Sequence, residues 1–267
     1  MSWWKKIFKR TWTVPIVRLD GVIGSSGQFG GGGLTDQNLA PVLKKAFEMP
    51  RAKAVALIIN SPGGSPTQSS LIAARIKRLA VENKIEVIAF CEDVAASGGY
   101  WLACSANEIF ADENSIVGSI GVISAGFGFH EFINRQGIER RVYTAGEDKS
   151  VLDAFRPEKK SDIEKIKNIQ SAIHNNFKQY VENSRGTKIN KDKVCTGEFW
   201  DANKALELGL IDGIEHLEPL LTKRFGKKIE FKTISRKKPF FARLSRSMIN
   251  NILGVVVSKA YFGRFHI

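Results

Sequence analysis

Short apolar segments alternate with longer amphipathic ones along the middle of the chain. The apolar, β-branched segments predict buried strands at residues 14–18, 53–60 and 85–90. Apolar residues recur at helical spacing over residues 36–49 and 67–83, and further helices are predicted after Pro157 to about residue 183 and over 202–208. Strand–helix–strand order with buried strands requires crossover connections. The pattern therefore predicts an α/β fold with a mostly parallel sheet.

The positive charge of the chain lies at its two ends. The sequence holds 40 Lys and Arg against 27 Asp and Glu, for a net charge of +13. Residues 19–230 are formally neutral, whereas residues 1–18 and the residues after Glu230 contain basic side chains and no acidic ones. Basic ends indicate an anionic partner, either lipid headgroups or nucleic acid. Since no nucleic-acid-binding motif accompanies them, no specific nucleic acid is expected.

The N-terminal residues favour the lipid interpretation. Aromatic and apolar side chains recur there at near-helical spacing, with lysines and arginines on the other face: Trp3, Trp4, Ile7, Phe8 and Trp12. Such a segment is typical of a helix in a membrane interface, although a basic terminus or an aromatic cluster packed on the domain is the alternative. No signal-peptide core or apolar span of about 20 residues is evident. The expected location is cytoplasmic, peripheral to the inner face of the membrane.

These features divide the chain into three predicted parts. An amphipathic segment covers residues 1–12, one globular domain covers 13–225, and a basic extension covers 226–267. The three cysteines, Cys91, Cys104 and Cys195, are widely spaced and predict neither a disulfide framework nor a metal site. No metal or organic cofactor is expected.

Two glycine-bearing loops carry the candidate chemistry, and each follows a predicted buried strand. The first, Asn60-Ser61-Pro62-Gly63-Gly64-Ser65, precedes a helix. Paired glycines let backbone N–H groups face a ligand, which suits an oxyanion hole or a phosphate site; a tight strand-to-helix turn is the alternative.

The second loop, Asp93-Val94-Ala95-Ala96-Ser97-Gly98-Gly99-Tyr100, places one serine among small residues before an apolar helix. A serine at a helix start gains from the positive end of the helix dipole, and the Gly98 N–H would lie beside it as an oxyanion donor. Ordinary N-capping explains the same serine without catalysis.

Both loops, in this order and spacing, resemble the Clp/crotonase fold and, in detail, the signal peptide peptidase A (protease IV) family. The residues that carry the resemblance over roughly residues 13–218 are INSPGG at 59–64, DVAASGGYWLA at 93–103, GSIGV at 118–122, YTAGEDK at 143–149 and LGLIDG at 208–213. Bacterial members of the family commonly have an N-terminal transmembrane anchor, whereas only the short aromatic and basic segment is seen in this sequence. The long form of the family has two tandem repeats, and this sequence resembles the short, single-repeat form.

The resemblance implies a serine endopeptidase with a serine–lysine dyad. Ser97 would attack the peptide carbonyl and Lys149 would deprotonate it, while the N–H groups of Gly64 and Gly98, with Gly63 in the same loop, would hold the oxyanion and substrate. It also implies a homo-oligomeric ring whose dyad is shared between subunits. Its substrates would be signal-peptide remnants or other membrane-associated or unfolded peptides.

Three alternatives remain open on the residues alone. A Ser-His-Asp triad would require one of four histidines, of which His130 lies nearest in sequence to the GSIGV segment, and that segment itself has none. A crotonase-type acyl-CoA enzyme lacks the expected paired carboxylates and leaves Ser97 and Lys149 unexplained. A catalytically silent ring-forming scaffold of the same family is the third alternative.

Overall fold

The computed structural model describes residues 11–24, 33–146, 149–235 and 265. The predicted amphipathic segment at residues 1–12 lies outside this part, except for its last two residues, and so does most of the predicted basic extension. Within the described residues, no helix is long and apolar enough to cross a membrane.

Eight strands form one mixed sheet in the described part of the chain, in the order β6-β5-β3-β2-β1-β8, with β4 beside β3 and β7 beside β4. The strands are β1 Trp12–Asp20, β2 Ala54–Ser61, β3 Glu86–Ala96, β4 Glu108–Ala111, β5 Ile116–Gly118, β6 Phe199–Asp201, β7 Gly213–Ile214 and β8 Ile229–Thr233. Only the β5–β6 pair is antiparallel among these pairings. The predicted α/β class with a mostly parallel sheet is confirmed.

The helices connect the strands as crossover elements. They are α1 Asp36–Phe47, α2 Pro66–Asn83, α3 Gly98–Ala103, α4 His130–Arg135, α5 Lys160–Arg185, α6 Lys191–Val194, α7 Ala202–Glu207 and α8 Leu217–Phe225. The Thr35 side chain caps α1 by accepting from the Asn38 N–H, and the Ser65 side chain caps α2 by accepting from the Gln68 N–H. Arg75 of α2 donates two 2.6 Å hydrogen bonds to Asp36 of α1, which joins the two helices.

The centre of the sheet is buried on both faces, because its middle strands are apolar along nearly their whole length. One face is packed against α8, where Leu221 joins a cluster with Ile88, Phe90 and Phe110. Trp12, which the sequence pattern assigned to the amphipathic segment, begins β1, and the Lys53 ammonium lies 3.8 Å from the centroid of its ring. β8, at the start of the predicted basic extension, pairs with β1.

β3 is longer than predicted: it continues past residue 90 to Ala96, and its register with β2 shifts on the way. Ile59 pairs with Cys91 and Ser61 with Ala95, so two steps along β2 correspond to four along β3. The last three residues of β3 then pair with β5. This offset places the end of β3 beside the end of β2, where both glycine loops begin.

The chain forms two compact units, and the division falls within α5. The first comprises residues 1–120 and 178–267 and contains the sheet; the second comprises residues 121–177. In the second unit the Phe129 N–H donates to the Ala154 carbonyl at 2.6 Å, and the Phe129 and Phe155 rings stack at 5.7 Å. Several of its large apolar side chains are exposed, Phe127 and Tyr143 most strongly. The predicted boundaries at 12 and 225 stay predictions.

A buried ion pair fixes the segment at 208–213 within the first unit. Arg185, 3% exposed, donates to both carboxylate oxygens of Asp212 at 2.8 and 3.0 Å and to the Gly209 carbonyl at 2.9 Å. Asp212 also accepts from Lys188 and from the Ile109 N–H. Burial alone would raise the pKa of Asp212, but these hydrogen bonds outweigh burial and lower its pKa to about 2.

We expect Asp212→Asn to reduce the free energy of unfolding by about 3–5 kcal/mol at pH 7, because it leaves the buried guanidinium of Arg185 without its counter-charge. The pKa of Asp212 is lowered in the folded state, so the wild-type advantage is complete above the unfolded value near 3.8 and falls as the pH drops toward about 2. Urea unfolding of both proteins at pH 7, 4 and 3 measures this.

Glu207→Gln is the matched control, because it removes the carboxylate of an exposed ion pair with Lys204. Its effect should stay within about 0.5 kcal/mol. An Asp212→Asn effect as small as that of the control, or one that grows as the pH falls, would contradict the role given to this pair.

Candidate active site

Ser97 lies at the sharp turn between β3 and α3. Its φ of 52° and ψ of −120° place it in a region that residues other than glycine rarely adopt. Its N–H donates to the Gly118 carbonyl at 2.7 Å, which holds the turn against the end of β5. Although Ser97 occupies the N-cap position of α3, its side chain makes no capping hydrogen bond. The strained turn leaves the half-buried Ser97 with a hydroxyl that does not cap the helix, which ordinary N-capping does not explain.

The first glycine loop is in backbone contact with this turn. A Cβ added at Gly63 would lie 2.8 Å from the Ser97 Cβ and 2.7 Å from the Gly98 nitrogen. A Cβ added at Gly98 would lie 2.5 Å from the Ser69 hydroxyl oxygen and 3.3 Å from the Gly63 Cα. Neither position has room for a side chain, so the two loops approach as closely as they do because both residues are glycines.

Two backbone N–H groups beside Ser97 are free to bind an oxygen atom. The Ile23 N–H donates to the Gly63 carbonyl and the Ser65 N–H donates to the Ile23 carbonyl, at 2.8 and 2.9 Å, so the Gly64 N–H between them faces away from Ile23. Among the described residues, neither the Gly64 N–H nor the Gly98 N–H has a hydrogen-bond acceptor. Two such donors near a nucleophile suit a developing oxyanion.

Gly63 and Gly64 have different roles in the loop, because the Gly63 N–H already has an acceptor. Its N–H donates to the Ser61 hydroxyl at 3.2 Å, and that hydroxyl donates to the Gly21 carbonyl at 2.6 Å. Gly63 therefore contributes close packing against the turn, while its donor is already used within the loop.

The helix after Ser97 is held by a buried tyrosine. The Tyr100 hydroxyl donates to the Leu210 carbonyl at 2.7 Å, and the tyrosine is fully buried. Burial raises the pKa of Tyr100 well above its ordinary value, so the hydroxyl stays protonated and remains a donor. This bond ties the start of α3 to the segment at 208–213. No local sequence pattern predicts this bond, because the two residues are far apart along the chain.

Lys149 and His130 lie in the second compact unit. Lys149 is exposed and occupies a turn in which its N–H donates to the Gly146 carbonyl at 3.4 Å; residues 147–148 lie outside the described part. His130 is half-buried and begins α4. The structure thus brings together Ser97, Gly63, Gly64 and Gly98 within the first unit and places both candidate bases in the second.

The GSIGV segment, at residues 118–122, supports the turn by its backbone. The Gly118 carbonyl accepts from Ser97, and the Ser119 N–H donates to the Glu198 carbonyl at 2.6 Å. A Cβ at Gly118 would lie 2.8 Å from the Trp200 ring. No imidazole occupies this described stretch.

One cavity in the first unit is separate from these residues. It measures about 590 Å³ and is lined by Phe90, Asp112 and His216, among others, with the His216 imidazole 2.8 Å from an Asp112 oxygen. It contains neither Ser97 nor the two free N–H groups. A concave surface without Ser97 is a poorer candidate site than the strained serine turn.

Comparisons with known proteins identify relatives of this chain. Residues 80–227 match the model of peptidase family S49. The chain is 47% identical over 231 residues to the Na(+)/H(+) antiporter NhaA of Brucella abortus, covering 86% of this chain and 31% of that protein. It is 29% identical over 234 residues to the chloroplastic serine protease SPPA of Arabidopsis thaliana, covering 84% of this chain and 34% of that protein. The chain thus spans about a third of the length of these two relatives.

A solved structure shows the same fold. It is a mutant of the 1510-N membrane-bound stomatin-specific protease in complex with a substrate peptide, with a TM-score of 0.53 and 17% identity over 92% of this chain and 98% of that one. At this identity the likeness concerns the fold, and it agrees with the fold that the sequence motifs predicted.

We expect Gly63→Ala to destabilise the protein more than its backbone conformation alone requires. A non-glycine residue at its φ of +99° costs roughly 1–2 kcal/mol, and the collision with the serine turn adds about 1–3 kcal/mol. Gly197→Ala is the matched control, because Gly197 has a φ of +91° and nothing within 4 Å of an added Cβ. Equal losses of unfolding free energy in the two variants would contradict the close approach at Gly63.

Proposed function

Because the chain belongs to peptidase family S49, we propose that it is a serine endopeptidase in which Ser97 is the nucleophile and Lys149 the general base. The observation that carries the proposal is the strained turn of Ser97, whose hydroxyl is free of helix capping and lies beside two uncommitted backbone N–H groups. Acyl transfer needs this combination of a nucleophile and oxyanion donors.

The proposed reaction proceeds through an acyl-enzyme. The Lys149 side chain, acting as the base, takes the proton of the Ser97 hydroxyl as the hydroxyl oxygen attacks the substrate carbonyl carbon. The carbonyl oxygen becomes an oxyanion and accepts hydrogen bonds from the N–H groups of Gly64 and Gly98. The C–N bond then breaks and the leaving amine takes the proton from Lys149. Water attacks the ester carbonyl carbon and gives a proton to the same lysine. The C–O bond to Ser97 then breaks, and the lysine returns the proton to the Ser97 oxygen, which releases the carboxylic acid product and the free serine.

Membrane-associated or unfolded peptides, including signal-peptide remnants, are the proposed substrates. The family supports this class, and one structural relative is named as a stomatin-specific protease bound to a substrate peptide. The basic ends of the chain support a peripheral position at the inner face of the cytoplasmic membrane, which would bring the site close to such peptides. The backbone donors recognise the peptide group itself, so they are compatible with a range of side chains.

Ser97→Ala should lower kcat/KM for a cleaved fluorogenic peptide by at least about 1,000-fold, because no nucleophile remains. Lys149→Ala should lower it by at least about 100-fold through loss of the base. Ser171→Ala and Lys167→Ala change exposed residues of the same types on α5 and serve as controls. Peptide hydrolysis by the assembled protein measures all four, and unfolding midpoints confirm that each variant folds.

The outcomes separate the candidate functions. Turnover that survives Ser97→Ala would refute the serine mechanism. Turnover lost with Ser97 but kept in Lys149→Ala would transfer the role of base to another group, His130 being the first to replace. A folded, oligomeric wild-type protein that cleaves no peptide in a broad panel would favour a silent scaffold of the family.

We further propose that each site takes Ser97 from one subunit of a ring and Lys149 from its neighbour. Mixing the inactive Ser97→Ala and Lys149→Ala proteins, with subunit exchange, should then restore about a quarter of wild-type activity, because one pairing in four joins an intact serine to an intact lysine. If both residues of a site came from one chain, every mixed site would keep a defect. An inactive mixture with proven exchange would therefore contradict the shared dyad.

A further inference from the structure

We propose that Asn60 is a positioning residue for this reaction: through Asp93 and Val94 it sets the distance between the oxyanion loop and the nucleophile turn. The proposal rests on the proposed peptidase function. It arises from the offset between β2 and β3, where the strand ladder is interrupted between the Ile59–Cys91 and Ser61–Ala95 pairs. Asn60 stands at this interruption.

The Asn60 side chain spans the interruption with two hydrogen bonds. Its amide oxygen accepts from the Val94 N–H at 3.3 Å, and its amide nitrogen donates to an Asp93 carboxylate oxygen at 2.6 Å. Its own carbonyl accepts from the Gly21 N–H at 2.8 Å. One residue thus binds two neighbouring segments, and its side chain replaces the ladder bonds that the offset removes.

Asn60 is linked to both halves of the candidate site. Asn60 precedes Ser61, whose hydroxyl holds the Gly63 N–H, so it anchors the start of the oxyanion loop. Val94 begins the short stretch that pairs with β5 and ends one residue before Ser97. A shift of Val94 relative to Asn60 would be carried along these rigid residues to the serine.

The pair has the properties of a positioning device rather than of a core contact. Asn60 is half-buried and Asp93 is exposed. Hydrogen bonds of this kind contribute about 0.5–1.5 kcal/mol to stability. A misplacement of about 1 Å at a reacting group, by contrast, can cost about 100-fold in rate. Loss of the pair should therefore affect turnover far more than folding.

An exchange of the two side chains tests the proposal. Asn60→Asp places two carboxylates opposite each other and removes the donor, and should lower kcat by about 10-fold to 100-fold while KM changes by less than about threefold. In the double variant Asn60→Asp/Asp93→Asn, the new carboxylate accepts from both the Val94 N–H and the new amide. This variant should recover kcat to within about threefold of wild type.

Asn114→Asp is the matched control, because the Asn114 amide also donates to a neighbouring exposed carboxylate, that of Asp112, at 3.1 Å. It adds the same charge beside the same partner type at a residue that belongs to neither loop, and its kcat should equal that of wild type. A normal kcat in Asn60→Asp, or a reduced kcat that the exchanged pair fails to restore, would overturn the proposal.

Backbone hydrogen exchange provides a readout that is independent of catalysis. Asn60→Asp should speed exchange in the peptides that contain Gly63, Gly64 and residues 94–97, and the exchanged pair should restore protection. Unchanged protection in Asn60→Asp would overturn the positioning role even if the protein cleaved no peptide. Failure of the peptidase function itself would be recognised separately, as wild-type inactivity or as activity that survives Ser97→Ala.

Discussion

The approach of Gly63 to the Ser97–Gly98 turn sets the spacing of the candidate site. Two backbone segments approach each other closely there, since a Cβ on Gly63 would lie under 3 Å from the Ser97 Cβ and the Gly98 nitrogen. Close packing of this kind permits only small displacements, because any movement of one loop displaces the other. The same contact sets the spacing between the free N–H groups of Gly64 and Gly98 and the serine hydroxyl. The proposed oxyanion donors and the proposed nucleophile thus share one steric constraint.

The rest of the first unit holds the two loops in this contact. The buried strands β2 and β3 deliver the loops to one edge of the sheet, and the offset between the strands aligns their ends. Tyr100 of the helix that follows Ser97 donates a hydrogen bond to the segment at 208–213, and the Arg185–Asp212 ion pair holds that segment in place. Strain at Ser97 is sustained because these contacts leave the turn no relaxed alternative.

The sequence predicted the repeating parts of this architecture well. Buried strands and amphipathic helices impose periods on apolar residues, so 53–60 and 67–83 correspond closely to Ala54–Ser61 and Pro66–Asn83. The extension of β3 was missed, because Glu92 and Asp93 interrupt its apolar run. The glycines marked both loops in the sequence, but the contact between the loops could not be predicted because it depends on tertiary packing. Asn60 gave no signal, since its partners are more than 30 residues away. Lys149 is the extreme case: an exposed lysine in a turn has no local pattern that marks a base, and only family motifs pointed to it.

Covalent labelling of the nucleophile tests the central claim most directly. The wild-type protein, assembled and active on a peptide, would be treated with a peptidyl fluorophosphonate, and the modified residue located by mass spectrometry of its proteolytic fragments. The account predicts loss of activity in step with one adduct per chain on Ser97, and no adduct in Ser97→Ala. Inactivation by an adduct on any other residue, or full activity in a protein whose Ser97 is completely modified, would contradict it.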